Sequence, residues 1–154
     1  MLKIDLSALP VFDQLVYPAG LRAETAGYQQ QRVGDAGGLD QFGVNRVVLP
    51  PRSRKALRHW HEQQDEFVIV IAGEVVLREE EGEIILRDCD CAGFKSGVAS
   101  RHAFENRSDG PVILFEIGTR TEDETVNYPV VALRYEKRDT SRTFLHRDGT
   151  PYSE

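Results

Sequence analysis

The chain has no excess of positive charge, no cysteine pair placed for a disulfide, no long apolar run and no extended helical pattern. Each absence removes a class of function. Lys and Arg number 19 against 25 Asp and Glu, for a formal net charge of −6. A general nucleic-acid binder needs a clustered basic surface, and so does a protein drawn to anionic lipid. Neither kind of partner is expected. The longest apolar run, residues 67–73, falls far short of the roughly 20 residues that span a bilayer. The opening Met1-Leu2-Lys3-Ile4-Asp5 lacks a signal-peptide apolar segment, so a cytoplasmic location is expected. Cys89 and Cys91 are the only cysteines. Their C-x-C spacing is neither a C-x-x-C redox motif nor a spacing that closes readily within a strand. They are expected to be two small side chains beside a turn. Internal repeats and low-complexity tracts are missing, and no added helix-turn-helix module is expected.

What remains is the pattern of a β-rich globular domain. At 154 residues the chain is expected to form one domain, 1–154, with enough length to bury a core. Apolar residues make up 40% and charged residues 29%, the balance of an ordinary soluble domain. Strand signals dominate the middle. Residues 45–49 end at Pro50-Pro51, which cannot continue a ladder. Residues 56–61 and the β-branched run 66–72 follow, and Gly73 permits a tight turn. Residues 74–78 and 83–86 predict a hairpin around Glu79-Glu80-Glu81-Gly82, a charged tip that deters edge pairing. Residues 100–105 and 112–117 predict a second pair through 107–111. Residues 28–33 suggest an edge strand, 130–135 a further strand, and 147–151 a turn. Short strands at even spacing imply an all-β sandwich or barrel.

Four histidines occur in the chain, and three fall in two blocks. His59-Trp60-His61 with Glu66 and Gly73 spells H-x-H-x4-E-x6-G, and His102-x3-Asn106 lies downstream. Alternation along a strand puts His59 and His61 on one face and turns Trp60 and Arg58 away. The same parity aims Glu66, Val68 and Val70 inward and turns Arg101 away from His102. Three imidazoles and a carboxylate suit a first-row metal such as Mn, Fe, Co, Ni, Cu or Zn. Buried without a partner they would be costly, and a divalent cation compensates them. The metal ligands expected are therefore His59, His61, Glu66 and His102, with Glu66 also a candidate base. Val68, Val70, Phe104, Tyr28 and Phe94 are candidate cavity walls. Asn106 is a candidate for the cavity or for bracing a turn. His146, in a polar tail, is expected at the surface.

These two blocks resemble the paired motifs of the cupin superfamily. The first is matched at His59, His61, Glu66 and Gly73, and the second at His102 and Asn106. The resemblance covers roughly residues 42–118 and extends to small single-domain bacterial members. It departs from the family at turns rather than ligands. Ser53 stands for a glycine before the first histidine, Cys89 for the glycine of a Gly-Asp pair, Gly97 for a proline and Ala99 for a glycine. It implies an all-β cupin double-stranded β-helix, a jelly-roll barrel with extended N- and C-terminal segments, one divalent first-row transition metal, no organic cofactor and a homodimer. The function implied is a metal-dependent enzyme on a small organic molecule, of dioxygenase, decarboxylase, isomerase or lyase type. The alternative is a non-catalytic cupin that binds metal or a small ligand for sensing, storage or regulation, and a metal-stabilised scaffold is a third. Oxalate-degrading members carry an arginine three residues before the first histidine. That position is Ala56 here, which argues against oxalate chemistry.

Overall fold

The structure is a computed structural model and describes residues 3–13 and 17–152. The strands among them are β1 (Gln29–Arg32), β2 (Phe42–Leu49), β3 (Ser53–Arg54), β4 (Trp60–His61), β5 (Glu66–Ala72), β6 (Val75–Arg78), β7 (Glu83–Leu86), β8 (Cys91–Phe94), β9 (Ala103–Asn106), β10 (Val112–Thr119), β11 (Glu124–Tyr128), β12 (Leu133–Arg138) and β13 (Ser141–His146). Helix is confined to short pieces, Leu6–Ala8, Ala19–Thr25 and Val33–Ala36.

The strands form three antiparallel sheets. One runs β1-β2-β10-β5-β8, a second β3-β9-β6-β7, and a third β13-β12-β11-β4. The first two face each other as a jelly roll. Their inner faces alternate as β5 shows: Val68 and Val70 are fully buried, while Phe67 and Ile71 are exposed. Val47, Leu49, Val75, Leu77, Phe104, Val112 and Leu114 complete this core. Burying each such aliphatic side chain contributes about 1.5–3 kcal/mol. A separate cluster of Tyr17, Leu57, Val126, Tyr128 and Leu133 fixes the third sheet beside the barrel.

Several expected strands differ. Only Trp60–His61 of 56–61 is strand, preceded by an isolated bridge between His59 and His102. Here the chain leaves β3, which pairs β9, and joins β11 in another sheet, so no single ladder can run through it. The segments around 100–105 and 112–117 do not pair with each other. β9 pairs β3 and β6, while β10 pairs β2 and β5. The 107–111 connection therefore carries the chain between sheets, and Asn106 makes that crossing. Its amide donates to the carbonyls of Leu49, Pro50 and Gly110 at 2.9, 2.9 and 2.8 Å. The strand expected at 130–135 begins at Leu133, after Ala132 turns in the left-handed region. β8, β11 and β13 carry mixed polar sequence and no clear alternation signal. The edge strand β1, the run β5 and the β6–β7 hairpin lie close to where they were expected.

The two motif turns have different costs. Gly73 sits at φ +95°, and a Cβ there would lie 3.0 Å from the Pro111 carbonyl oxygen. Only glycine fits both conditions. Cys89, in the place of a glycine, also adopts positive φ, at 71°. Its amide donates to the Val70 carbonyl at 2.8 Å, so the ladder holds a conformation that costs a non-glycine residue about 1–2 kcal/mol. Both cysteines are exposed and free.

Candidate active site

At one end of the barrel, chain crossings bring four side chains from separate segments to one point. Glu66 opens β5. His61 closes β4, and His59 and His102 exchange backbone hydrogen bonds at 3.1 and 3.0 Å. Glu66 Oε2 lies 3.2 Å from His102 Nε2, 3.4 Å from His61 Nε2 and 4.0 Å from His59 Nε2. Two of the three rings are turned by a neighbour. His59 Nδ1 is 2.8 Å from the Leu57 carbonyl and His102 Nδ1 is 3.2 Å from Ser100 Oγ. The carbonyl can only accept, so His59 carries its proton on Nδ1 and offers the Nε2 lone pair to the cluster. This is the usual second contact of a metal-binding imidazole. Phe94 stacks on His102 with ring centroids 3.5 Å apart.

The electrostatics suit a cation. Burial pushes the His59 imidazole well below its usual range, with the other two histidines adding to the effect. Burial also lowers His102, although Glu66 opposes this. Both rings are neutral donors at neutral pH. Burial opposes ionisation of Glu66, but the Lys55 ammonium and contacts from His102 and His61 outweigh it and hold the carboxyl well below the usual range.

These residues fit a divalent metal. Donors about 2.0–2.2 Å from an ion stand about 3–4 Å from one another. The observed separations of 3.2, 3.4 and 4.0 Å fall in that interval. His59, His61 and Glu66 each offer a donor atom within 4.8 Å of the others; His102 stands outside that trio and reaches it through Glu66 Oε2 at 3.2 Å.

The cluster opens on a cleft of about 260 Å³. Of the expected cavity residues, Tyr28 lines it. Val68, Val70 and Phe104 belong to the core behind it, and Asn106 is fully buried in its turn. Parity pointed the valines inward, but the inner face of this barrel is mostly packed core, and only its open end is cavity. Trp60 turns away from the histidines and lines a different cleft with Tyr128 and Leu133. His146 is exposed, stacked on Tyr152. Arg58 donates to the Arg101 carbonyl at 3.0 Å, and Arg101 pairs with Glu80. Ala56 lines the cleft, and its neighbour Lys55 supplies the cation there.

Three important residues had no place in the motif reading. Lys55 Nζ lies 2.5 Å from Glu116 Oε1 and 3.5 Å from Glu66 Oε1. Burial would lower its pKa, yet the two carboxylates win and raise it. Burial raises Glu116, which Lys55 only partly offsets. Lys55 lies between β3 and β4, outside any strand, where parity does not reach. Alternation with Val112 and Leu114 would have found Glu116. Glu124, 2% exposed, had no such signal. Its Oε1 accepts from the amides of Glu62, Gln63 and Thr125 at 3.1, 3.3 and 2.9 Å, which fixes the loop joining His61 to Glu66.

A cupin-domain family profile matches residues 45–118. A solved structure from Silicibacter pomeroyi, described as a sugar phosphate isomerase from a cupin superfamily, is 40% identical. The match covers 98% of this chain and 96% of that one, with a TM-score of 0.94. The chain belongs to the cupin superfamily. A structure from Acidithiobacillus ferrooxidans, provisionally described as a sugar phosphate isomerase, is 22% identical over 87% of this cupin and 85% of that chain, with a TM-score of 0.77. A polyketide cyclase from Streptomyces resistomycificus is 12% identical over 77% and 79% of the two chains, with a TM-score of 0.64. These last two share the fold, which by itself says nothing of chemistry. No curated protein matches this cupin. Among its described residues no helix is long and apolar enough to cross a membrane.

Proposed function

We propose that this cupin is a metal-dependent isomerase of a small phosphorylated sugar, interconverting aldose and ketose forms. The observation that carries this reading is a second buried carboxylate, Glu116, held by Lys55 on the wall of the cleft into which the donor cluster opens. The 40% identical protein described as a sugar phosphate isomerase supports the substrate class.

The reaction moves one proton between adjacent carbons and needs no outside oxidant. Glu116 takes the proton from the carbon beside the carbonyl and returns it to the carbonyl carbon, while the proton of the neighbouring hydroxyl passes to the carbonyl oxygen, so the intermediate is an enediol and no atom is gained or lost. Burial raises its proton affinity above that of an ordinary carboxylate, the direction a general base needs, and Lys55 keeps it oriented. His59, His61, Glu66 and His102 would hold a divalent first-row ion, which when bound polarises the sugar's carbonyl and hydroxyl oxygens. Tyr17, Tyr28, Tyr128, Gln30, Asn45 and Gln64 line the cleft and supply hydrogen-bond partners for hydroxyl groups. Burial pushes Tyr28 up to about 12 and also raises Tyr17 and Tyr128, so all three phenols stay protonated as donors.

The test is deuterium exchange. Metal-stripped protein is reloaded with Mn, Fe(II), Co, Ni or Zn, and aldose phosphates are incubated with it in D2O. Metal-dependent exchange at C2 is expected in the wild type. Glu116→Gln should bind metal normally and lose exchange by at least about a hundredfold. A fully loaded wild type that exchanges no proton from any aldose phosphate sinks the isomerase reading and leaves a binding role.

The outer face of the five-stranded sheet supports a homodimer. It carries Phe67, Ile69 and Ile71 on β5 beside Ile113, Phe115 and Ile117 on β10, with Phe67 42% and Ile71 46% exposed. A second copy of this face would cover that apolar surface.

A further inference from the structure

A second cleft, about 420 Å³, adjoins the metal-site cleft and shares Gln30, Asn45, Gln64 and Gly118 with it. Its other walls carry Arg32, Arg120, Lys137, Arg142 and Asp35. Four cations face one carboxylate in a chain whose net charge is −6, so the positive charge is concentrated here against the overall sign. We infer that this basic cleft binds the phosphate group of the substrate while the carbonyl end reaches the metal site. The identity of that substrate rests on the isomerase reading above.

Sheet register explains how the two clefts join. Arg32 stands opposite Asn45, Asn45 opposite Glu116, and Glu116 opposite Val68. Residues paired across a sheet share a face, so these four form one inward row. Two strand spacings put the Arg32 and Glu116 backbones about 10 Å apart. The next row is Gly43, Gly118 and Glu66. The two facing glycines place no side chain between the carboxylate cluster and the rim. A Cβ on Gly43 would lie 3.7 Å from Arg120 Nε, so the gap leads to that guanidinium. The inner face thus passes from apolar core, through acid and metal-binding residues, to a basic rim.

The cations come from distant parts of the chain and three are already held in place. Arg120 pairs with Asp35 and donates to the Leu39 carbonyl at 2.9 Å. Lys137 donates to the Thr121 carbonyl at 2.6 Å. The Arg32 guanidinium lies over the Phe12 ring, 4.7 Å from its centroid. Arg142 is exposed and makes no hydrogen bond or ion pair with another described residue. A phosphate dianion matches such a set, because guanidinium groups bind its oxygens through paired N–H donors. A cleft in which four cations outnumber one carboxylate also concentrates a small anion, whereas the negative chain as a whole repels a long polyanion.

The experiment is calorimetric titration of metal-free protein with inorganic phosphate at constant ionic strength. One saturable site per protomer is expected. Arg142→Gln should weaken it about tenfold, and adding Arg120→Gln should remove it. Arg142→Gln breaks no hydrogen bond or ion pair with another described residue, so it tests the site even if the Arg120 variant fails to fold. The His59→Ala His102→Ala variant should bind phosphate as the wild type does. An aldose phosphate should displace phosphate, and the same aldose without its phosphate should not. Absence of saturable binding, binding unchanged in Arg142→Gln, or binding lost in the histidine variant would each overturn the assignment. So would tighter displacement by adenosine monophosphate than by the aldose phosphate. Deuterium exchange reports the reaction separately. Phosphate binding without exchange retires the isomerase reading and keeps this site, and exchange without phosphate binding does the reverse.

Discussion

Replacing Lys55 by methionine should destabilise the metal-free protein strongly, and more at alkaline than at acid pH. The Lys55 side chain is 15% exposed and its partners Glu116 and Glu66 are 7% and 11% exposed. Methionine nearly conserves the volume, so packing is little disturbed. What changes is charge: two buried carboxylates lose their shared cation. Leaving a buried charge without its partner costs about 3–5 kcal/mol. For a chain of this size that corresponds to a melting temperature roughly 10 °C lower. The pH dependence follows from Glu116, whose pKa burial already raises and which would rise further without Lys55. A carboxyl raised above its unfolded value is at its most stabilising below that value, and stability falls as pH rises through the folded pKa. The deficit should therefore be larger at pH 8 than at pH 5, changing by at most about 1.4 kcal/mol per pH unit for this one group. Adding Glu116→Gln removes the stranded charge, so Lys55→Met Glu116→Gln should be more stable than Lys55→Met alone. Urea unfolding of the wild type, both single variants and the double variant at the two pH values measures every term. A loss under about 1 kcal/mol at pH 8, or no recovery in the double variant, would refute the account of the pair.

Three further outcomes follow from the same structure. The depressed imidazoles of His59 and His102 bind protons only in the unfolded chain just below pH 6.5, so their contribution is full above that value and lost as pH falls. Glu116 opposes them, but with two imidazoles against one carboxyl the urea midpoint of metal-free protein should drop between pH 7 and 5.5, and a rising midpoint would contradict this. Cys89→Gly relieves a left-handed residue, worth about 1–2 kcal/mol, against an unfolded-state cost of about 0.5–1 kcal/mol. A gain of about 0.5–1 kcal/mol is expected in thermal unfolding, and a loss would mean that the Cys89 side chain contributes something else. Phe67→Lys puts charge in the apolar sheet face, so light scattering should show a wild-type dimer and a variant monomer near 17.4 kDa; a monomeric wild type removes the proposed interface.

The sequence by itself determined the β-rich class, the inward parity of β5, the Gly73 turn and which three histidines and one glutamate would meet at one point. Those properties are local: alternation, turn chemistry and spacing along one strand are set by residues a few positions apart. It also carried the clue to Glu116, because parity extends along β10 whatever its partners are, whereas Lys55 lies between strands. Tertiary structure alone decided the rest. Whether an inward side chain meets packed core or open cleft depends on how far along the barrel it sits, which is why Val68, Val70 and Phe104 are confined to the core while Tyr28, packed in the same core, also reaches the cleft. The pairing of β9 and β10 with different sheets was hidden for a similar reason, since a turn sequence does not say which ladder the chain joins next. Glu124 carries no pattern signal of its own, and only β11 places it against the loop after His61. The basic cleft is the clearest case. Arg32, Arg120, Lys137 and Arg142 are scattered through a chain with a net negative charge, and only the register of the sheets gathers them.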